Sequence, residues 1–161
     1  MNQRLNSITN HPLYKDYYTQ ITELEKSRMF CKHDMTHFLD VARIGYIMIL
    51  EDASAVSKED IYTVALLHDI GRHMQYLEGI PHERASAKLC VSILVDSGYS
   101  QSEIEVYQEA ILNHRNALMK NDKSLSGYLY RSDKASRPCH ICPYEVDCDW
   151  PTSKKNMSIA Y

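Results

Sequence analysis

The sequence predicts an all-α protein, a compact bundle of about six helices, on three observations. Glycine and proline number only five each, apolar residues recur at three- and four-residue spacing, and β-branched residues rarely alternate with polar ones. That is the period of a helix, not of a strand. At 161 residues the chain fits one domain, long enough to bury a core without disulfides. Three segments are expected: residues 1–30 as an N-terminal helical segment packed on the core, 31–137 as the main helical domain, and 138–161 as a cysteine-rich segment with a polar tail.

Each helix carries its own signal. Pro12 suits a first helical turn and opens a helix over 12–28, and a second follows over 35–51. Ser57 three residues before Asp60 forms a capping box for a third helix, which runs to His68, Asp69 and Gly71. Pro81 opens a fourth that Gly98 closes. Ser100 with Glu103 caps a fifth ending near Arg115. After a polar loop over 116–123, a sixth helix spans 124–136.

Composition narrows the function. A net charge of −3 disfavours a nucleic-acid polymer as the partner, because phosphate backbones call for a concentrated basic surface. The longest apolar run, residues 44–50, is far too short to cross a bilayer. No secretory signal is visible at the N-terminus, so a cytoplasmic protein without a membrane partner is expected. The sequence does not specify an oligomeric state.

Several ionisable residues fall on faces that helical spacing assigns to the core. His37 shares a stripe with Val41, Ile44 and Met48, and His114 extends the run Ile104, Tyr107, Ile111. Asp133 follows Leu129 by four residues, and His82 heads a stripe through Ala85, Leu89 and Ile93. One inward histidine is ordinary. A buried carboxylate among several imidazoles is costly unless a cation joins them. His68 and Asp69 diverge by about 100° on a helix, so both reach one ion only near the helix end, with other helices supplying the rest. Imidazole plus carboxylate suits manganese, iron, cobalt, nickel or zinc.

The stretches HDMTHFLDVARIGYIMILE, VALLHDIGR and the Asp within YRSDKASR resemble, in order and spacing, the HD superfamily of metal-dependent phosphohydrolases. The resemblance covers about residues 30–137 and implies an HD-domain fold over 31–137, with His37, His68, Asp69 and Asp133 as metal ligands. His82 and His114 fall where relatives of the two-metal type carry extra histidines, so one or two ions are implied, with Asp69 bridging them. His33 and Asp34 complete an HDxxH pattern, expected to support the helix start. Arg72 stands where related proteins carry a substrate-contacting cation. Arg115 and Lys134 each lie beside an implied ligand and are further candidates to bind substrate, and Asp69, Arg72 and Lys134 are the candidate catalytic groups.

The implied activity is hydrolysis of a small phosphorylated substrate of the nucleotide or dinucleotide type, by water that a divalent cation makes acidic. An HD-type di-iron oxygenase and a non-catalytic nucleotide-binding sensor are the alternatives. Separately, Cys139, Cys142 and Cys148 form a CxxC pair with a third cysteine. Completed by Cys31, or by His140, they make a candidate structural zinc or iron–sulfur site. Cys90, on an apolar helix face, reads as core.

Overall fold

The computed structural model describes residues 3–161, and among them there are eight α-helices, three short 3₁₀ helices and no strand. The α-helices are α1 (Gln3–Asn10), α2 (Pro12–Leu24), α3 (Met35–Glu51), α4 (Lys58–Leu67), α5 (Arg72–Glu78), α6 (His82–Asp96), α7 (Gln101–Asn113) and α8 (Leu125–Ala135). The all-α expectation holds, with α1 and α5 as additions. The helix expected over 12–28 ends at Leu24, because Glu25 turns into the interior. No described helix is long and apolar enough to cross a membrane.

The core is organised around α4. Ile61 and every residue from Thr63 to Leu67 are buried, so the C-terminal half of this helix is covered on all sides. Helices α1, α3, α7 and α8 pack on it, while α6 pairs with α7, and α5 rests on α6 and α2. Close approach of α3 to α4 depends on Gly45, where an added Cβ would lie 2.6 Å from Ile61 Cγ1.

Both predicted capping boxes form, Ser57 with Asp60 and Ser100 with Glu103. Arg4 then ties α1 to the first turns of α4 and α7. Its Nε is 2.6 Å from Glu59 Oε1, its Nη1 is 2.9 Å from Glu103 Oε1, and its guanidinium lies 4.1 Å over the Tyr99 ring. The other end of α4 points into the protein. There His68, Asp69, Ile70 and Gly71 remain buried as the chain leaves the helix. Gly71 N–H donates to Ser86 Oγ at 2.9 Å, and a Cβ at Gly71 would stand 2.5 Å from Ser86 N. The start of α6 is thereby pressed against the end of α4.

Past α8 the chain makes turns and two three-residue 3₁₀ helices, at Cys139–Ile141 and Thr152–Lys154. Asn156 holds this segment to the bundle, its Nδ2 donating to the carbonyls of Lys134 (2.7 Å) and Arg137 (2.9 Å).

Candidate metal centre

Five helices deliver six ionisable side chains to one interior point: His37 from α3, His68 and Asp69 from the end of α4, His82 from the start of α6, His114 from the end of α7, and Asp133 from α8. They form two overlapping groups, His37, His68, Asp69 and Asp133 on one side and Asp69, His82 and His114 on the other. Within each group the ligand atoms all lie within 4.8 Å of one another, and every member is buried. All six positions read from the sequence as ligands are therefore brought together.

Asp69 belongs to both groups, and its two oxygens divide between them. Oδ2 lies 3.3 Å from His68 Nε2 and 3.7 Å from His37 Nε2, while Oδ1 lies 3.1 Å from His82 Nε2 and 3.8 Å from His114 Nε2. Asp133 Oδ1 completes the first group at 3.5 Å from His37 Nε2 and 3.8 Å from His68 Nε2.

The outer ring nitrogens are tethered. His68 Nδ1 is 2.8 Å from the Ala65 carbonyl and His114 Nδ1 is 2.6 Å from that of Ile111; His82 Nδ1 meets Gln75 Oε1, and His37 Nδ1 is 3.1 Å from Ser136 Oγ. A carbonyl oxygen only accepts, so in the first three a proton sits on Nδ1; the Nε2 lone pair of neutral His82 and His114 faces the cluster, and that of His68 does so once its second proton is lost. His82 Nε2 and His114 Nε2 then confront each other at 3.1 Å, two acceptors with nothing to share unless a proton or cation lies between them. His68 Nε2 and Asp69 Oδ1 are buried without a hydrogen-bond partner. Orphaned lone pairs converging from imidazoles and carboxylates fit a divalent transition metal in each group.

Burial holds His37 down at about 4 and His82 and His114 at about 3, so these three are neutral at pH 7 and able to ligate. Burial opposes charge on His68 too, but the carboxylates of Asp69 and Asp133 outweigh it and raise that imidazole to about 9. Burial likewise opposes ionisation of both carboxylates. His68 and Arg72 nonetheless hold Asp69 well below the usual range, and Lys134, His68 and Arg137 do the same for Asp133.

The cations divide differently from expectation. Arg72 sits at the cluster, with Nε 3.4 Å from Asp69 Oδ1 and no hydrogen-bond partner on that nitrogen. Lys134 Nζ is 2.7 Å from Asp133 Oδ2 and 2.9 Å from the His114 carbonyl. Arg115 does not join them. Its half-exposed guanidinium pairs with Glu83 at 3.1 Å.

Two participants went unread in the sequence. Arg137 is buried, with Nη2 3.1 Å from His37 Nε2 and 3.4 Å from Asp133 Oδ1. Glu25 is buried as well and accepts from the His33 backbone N–H (2.7 Å), from His33 Nδ1 (2.5 Å) and from the Tyr76 hydroxyl (2.5 Å). Burial works against its charge, yet these partners hold its carboxyl at about 2. His33 itself does more than support the start of α3, since its Nε2 stands 3.7 Å from Asp69 Oδ2. Asp34 is the cap, accepting from the His37 N–H at 3.0 Å.

The cysteines are arranged otherwise. Cys31, Cys139, Cys142 and Cys148 are free and half-buried, and Cys90 is buried in the core as expected. Among the described residues no three cysteine sulfurs lie within 4.8 Å of one another, and His140 joins no ligand group.

Residues 35–138 match the HD domain family. An uncharacterized protein of Clostridium beijerinckii (strain ATCC 51743 / NCIMB 8052) is 42% identical over 158 residues, which is 98% of this chain and 99% of that one. A crystal structure of a predicted HD superfamily hydrolase from an uncultured Thermotogales bacterium is similar with a TM-score of 0.66, over 92% of this chain and 82% of that one. At 18% identity that likeness is one of fold.

Proposed function

The chain belongs to the HD domain family, and on that premise we propose that it hydrolyses a small phosphorylated substrate, of the nucleotide or dinucleotide type, with two divalent cations held by the overlapping His/Asp groups. One observation carries the reading: the two oxygens of Asp69 face different histidine pairs, an arrangement that would suit a carboxylate shared by two ions. Ions bound there would acidify water near neutral pH and offset charge on phosphoryl oxygens.

The chain's own residues do the rest. Arg72 presents a buried guanidinium with an unused Nε–H beside Asp69, a donor fitted to a phosphoryl oxygen. Lys134, fixed by Asp133 and the His114 carbonyl, adds a second positive charge within the same wall. Arg137 supplies a third beside His37. In a water-poor interior such fixed charges act strongly and need no rearrangement as charge develops. Phe38 packs edge-on against His68 at 5.6 Å between ring centroids and closes the inner side to solvent. A cytoplasmic location is part of the proposal, since a reducing compartment would keep the five cysteines available as thiols or ligands.

The test is metal analysis of protein purified without added metal, then a screen of nucleotides, dinucleotides and simple phosphate esters for metal-dependent phosphate or nucleotide release. Turnover with manganese, cobalt or iron is expected. Oxygen consumption at a mixed-valence di-iron centre with phosphate esters untouched would replace the reading with an oxygenase. Tight nucleotide binding without product would replace it with a sensor.

A further inference from the structure

The His/Asp centre leaves the cysteine-rich end without a role. After α8 the backbone winds through successive three-residue turns, with Cys142 N–H on the Cys139 carbonyl (3.1 Å), Glu145 N–H on that of Cys142 (3.2 Å) and Cys148 N–H on that of Glu145 (3.3 Å). Cys139, Cys142 and Cys148 thus stand on successive turns of one short segment. Cys31, more than a hundred positions earlier, lies in the loop before α3 and lines the same cavity of about 450 Å³ as Cys139 and Cys142. Burial pushes the Cys31 thiol up, and the nearness of Cys139 and Cys142 adds to the rise, while Arg137 opposes it.

Two further facts ask for a ligand here. The segment has almost no apolar core, since Ile141 is 73% and Val146 90% exposed, yet it keeps a definite path, closed by His140 N–H on the Asn156 carbonyl at 3.0 Å. Small units without apolar burial hold their shape by a cross-link or a metal. Positive charge is also at hand. Lys155, its side chain mostly covered, lies within electrostatic reach of Cys139 and Cys148, and Arg28 Nε donates to the Cys31 carbonyl at 2.9 Å. Such cations suit a site that carries several thiolates.

Spacing decides the kind of metal. Tetrahedral zinc, with bonds of about 2.3 Å, draws its sulfurs to within roughly 4 Å of each other. No three of these sulfurs lie within 4.8 Å of one another, and Cys31, Cys139 and Cys142 line a cavity of about 450 Å³. A cluster places several irons between its ligands and spans the larger gap. From this placement we infer that Cys31, Cys139, Cys142 and Cys148 hold an iron–sulfur cluster that pins the C-terminal segment to the loop before α3.

The full chain, purified without oxygen, is assayed for visible absorption and for iron, zinc and acid-labile sulfide. Sulfide separates this site from iron in the His/Asp centre. About two sulfides per chain are expected for a 2Fe–2S cluster and about four for a 4Fe–4S cluster. They should persist in Asp69→Ala and Cys90→Ala and vanish in Cys31→Ser and Cys142→Ser. Absence of sulfide from the wild type, zinc as the only metal lost on Cys31→Ser, or sulfide unchanged in that variant would each overturn the inference. If Cys31→Ser does not fold, wild-type protein freed of metal must regain the chromophore with ferrous iron and sulfide, and alkylation of its thiols must prevent that; failure of either also overturns it.

Discussion

The six ligands of the His/Asp centre come from the body or ends of helices, and four imidazoles are held by their second nitrogen before any ion arrives. The four cysteines hang instead from a loop and a string of turns, half-buried and without apolar support. The first region has its shape from packing and lends it to the metal. The second takes its shape from what it binds. Sites on rigid elements are the more exact, and sites on turns are the more dependent on their ligand.

Asp69→Ala is the sharpest way to separate the two regions. Both His/Asp groups lose their shared carboxylate, so turnover should fall by more than the roughly 100-fold that loss of an outer partner costs at most, while helical content and sulfide stay unchanged. Rates of phosphate release and far-UV circular dichroism check it. Gln75→Ala removes only the tether on His82 Nδ1, and the metal of the His82 side should bind about 10–100-fold more weakly while the His37 side is spared. Competition with a chelator measures this.

If packing shapes the first region, Gly71→Ala must disturb it without touching a ligand. An added methyl meets Ser86 N at 2.5 Å, so about 1–3 kcal/mol of stability should be lost in denaturant titrations. For the second region, metal removal should speed proteolysis within residues 138–156 by about tenfold, the effect of roughly 1.4 kcal/mol of local stability, and leave α3–α8 resistant.

Acid gives the mildest separation. His37, His82 and His114 have folded values of about 4, 3 and 3 against 6.5 for the free group, so below about pH 6.5 the unfolded chain takes up more protons than the folded one. Metal-free protein should therefore lose thermal stability steadily between pH 6.5 and 4. His68, raised to about 9, adds stability that is full below 6.5 and is lost as pH climbs through 9. A melting series across pH, with and without metal, checks both arms.

What the sequence disclosed follows from the same contrast. His37, His82, His114 and Asp133 were legible because helical spacing put a polar group on an apolar stripe. Helix α5 was missed, since seven residues are too few to display a period, and its start at Gly71 has no side-chain cap. Helix α1 was missed because eight mostly polar residues bury only Ile8. Glu25 and Arg137 carried no signal at all. Both lie at helix ends in polar surroundings, and only the folded chain covers them. The pairing of Arg115 with Glu83 was not legible either, for adjacency to His114 in sequence says nothing about which way a side chain leaves a helix end.

The two-faced carboxylate of Asp69 has a thermodynamic corollary. Because one group serves both sides, filling one side alters the affinity of the other, and by the same factor whichever is filled first. Two ions held there as proposed would form a single coupled unit, whose loading curve would not decompose into two independent hyperbolas.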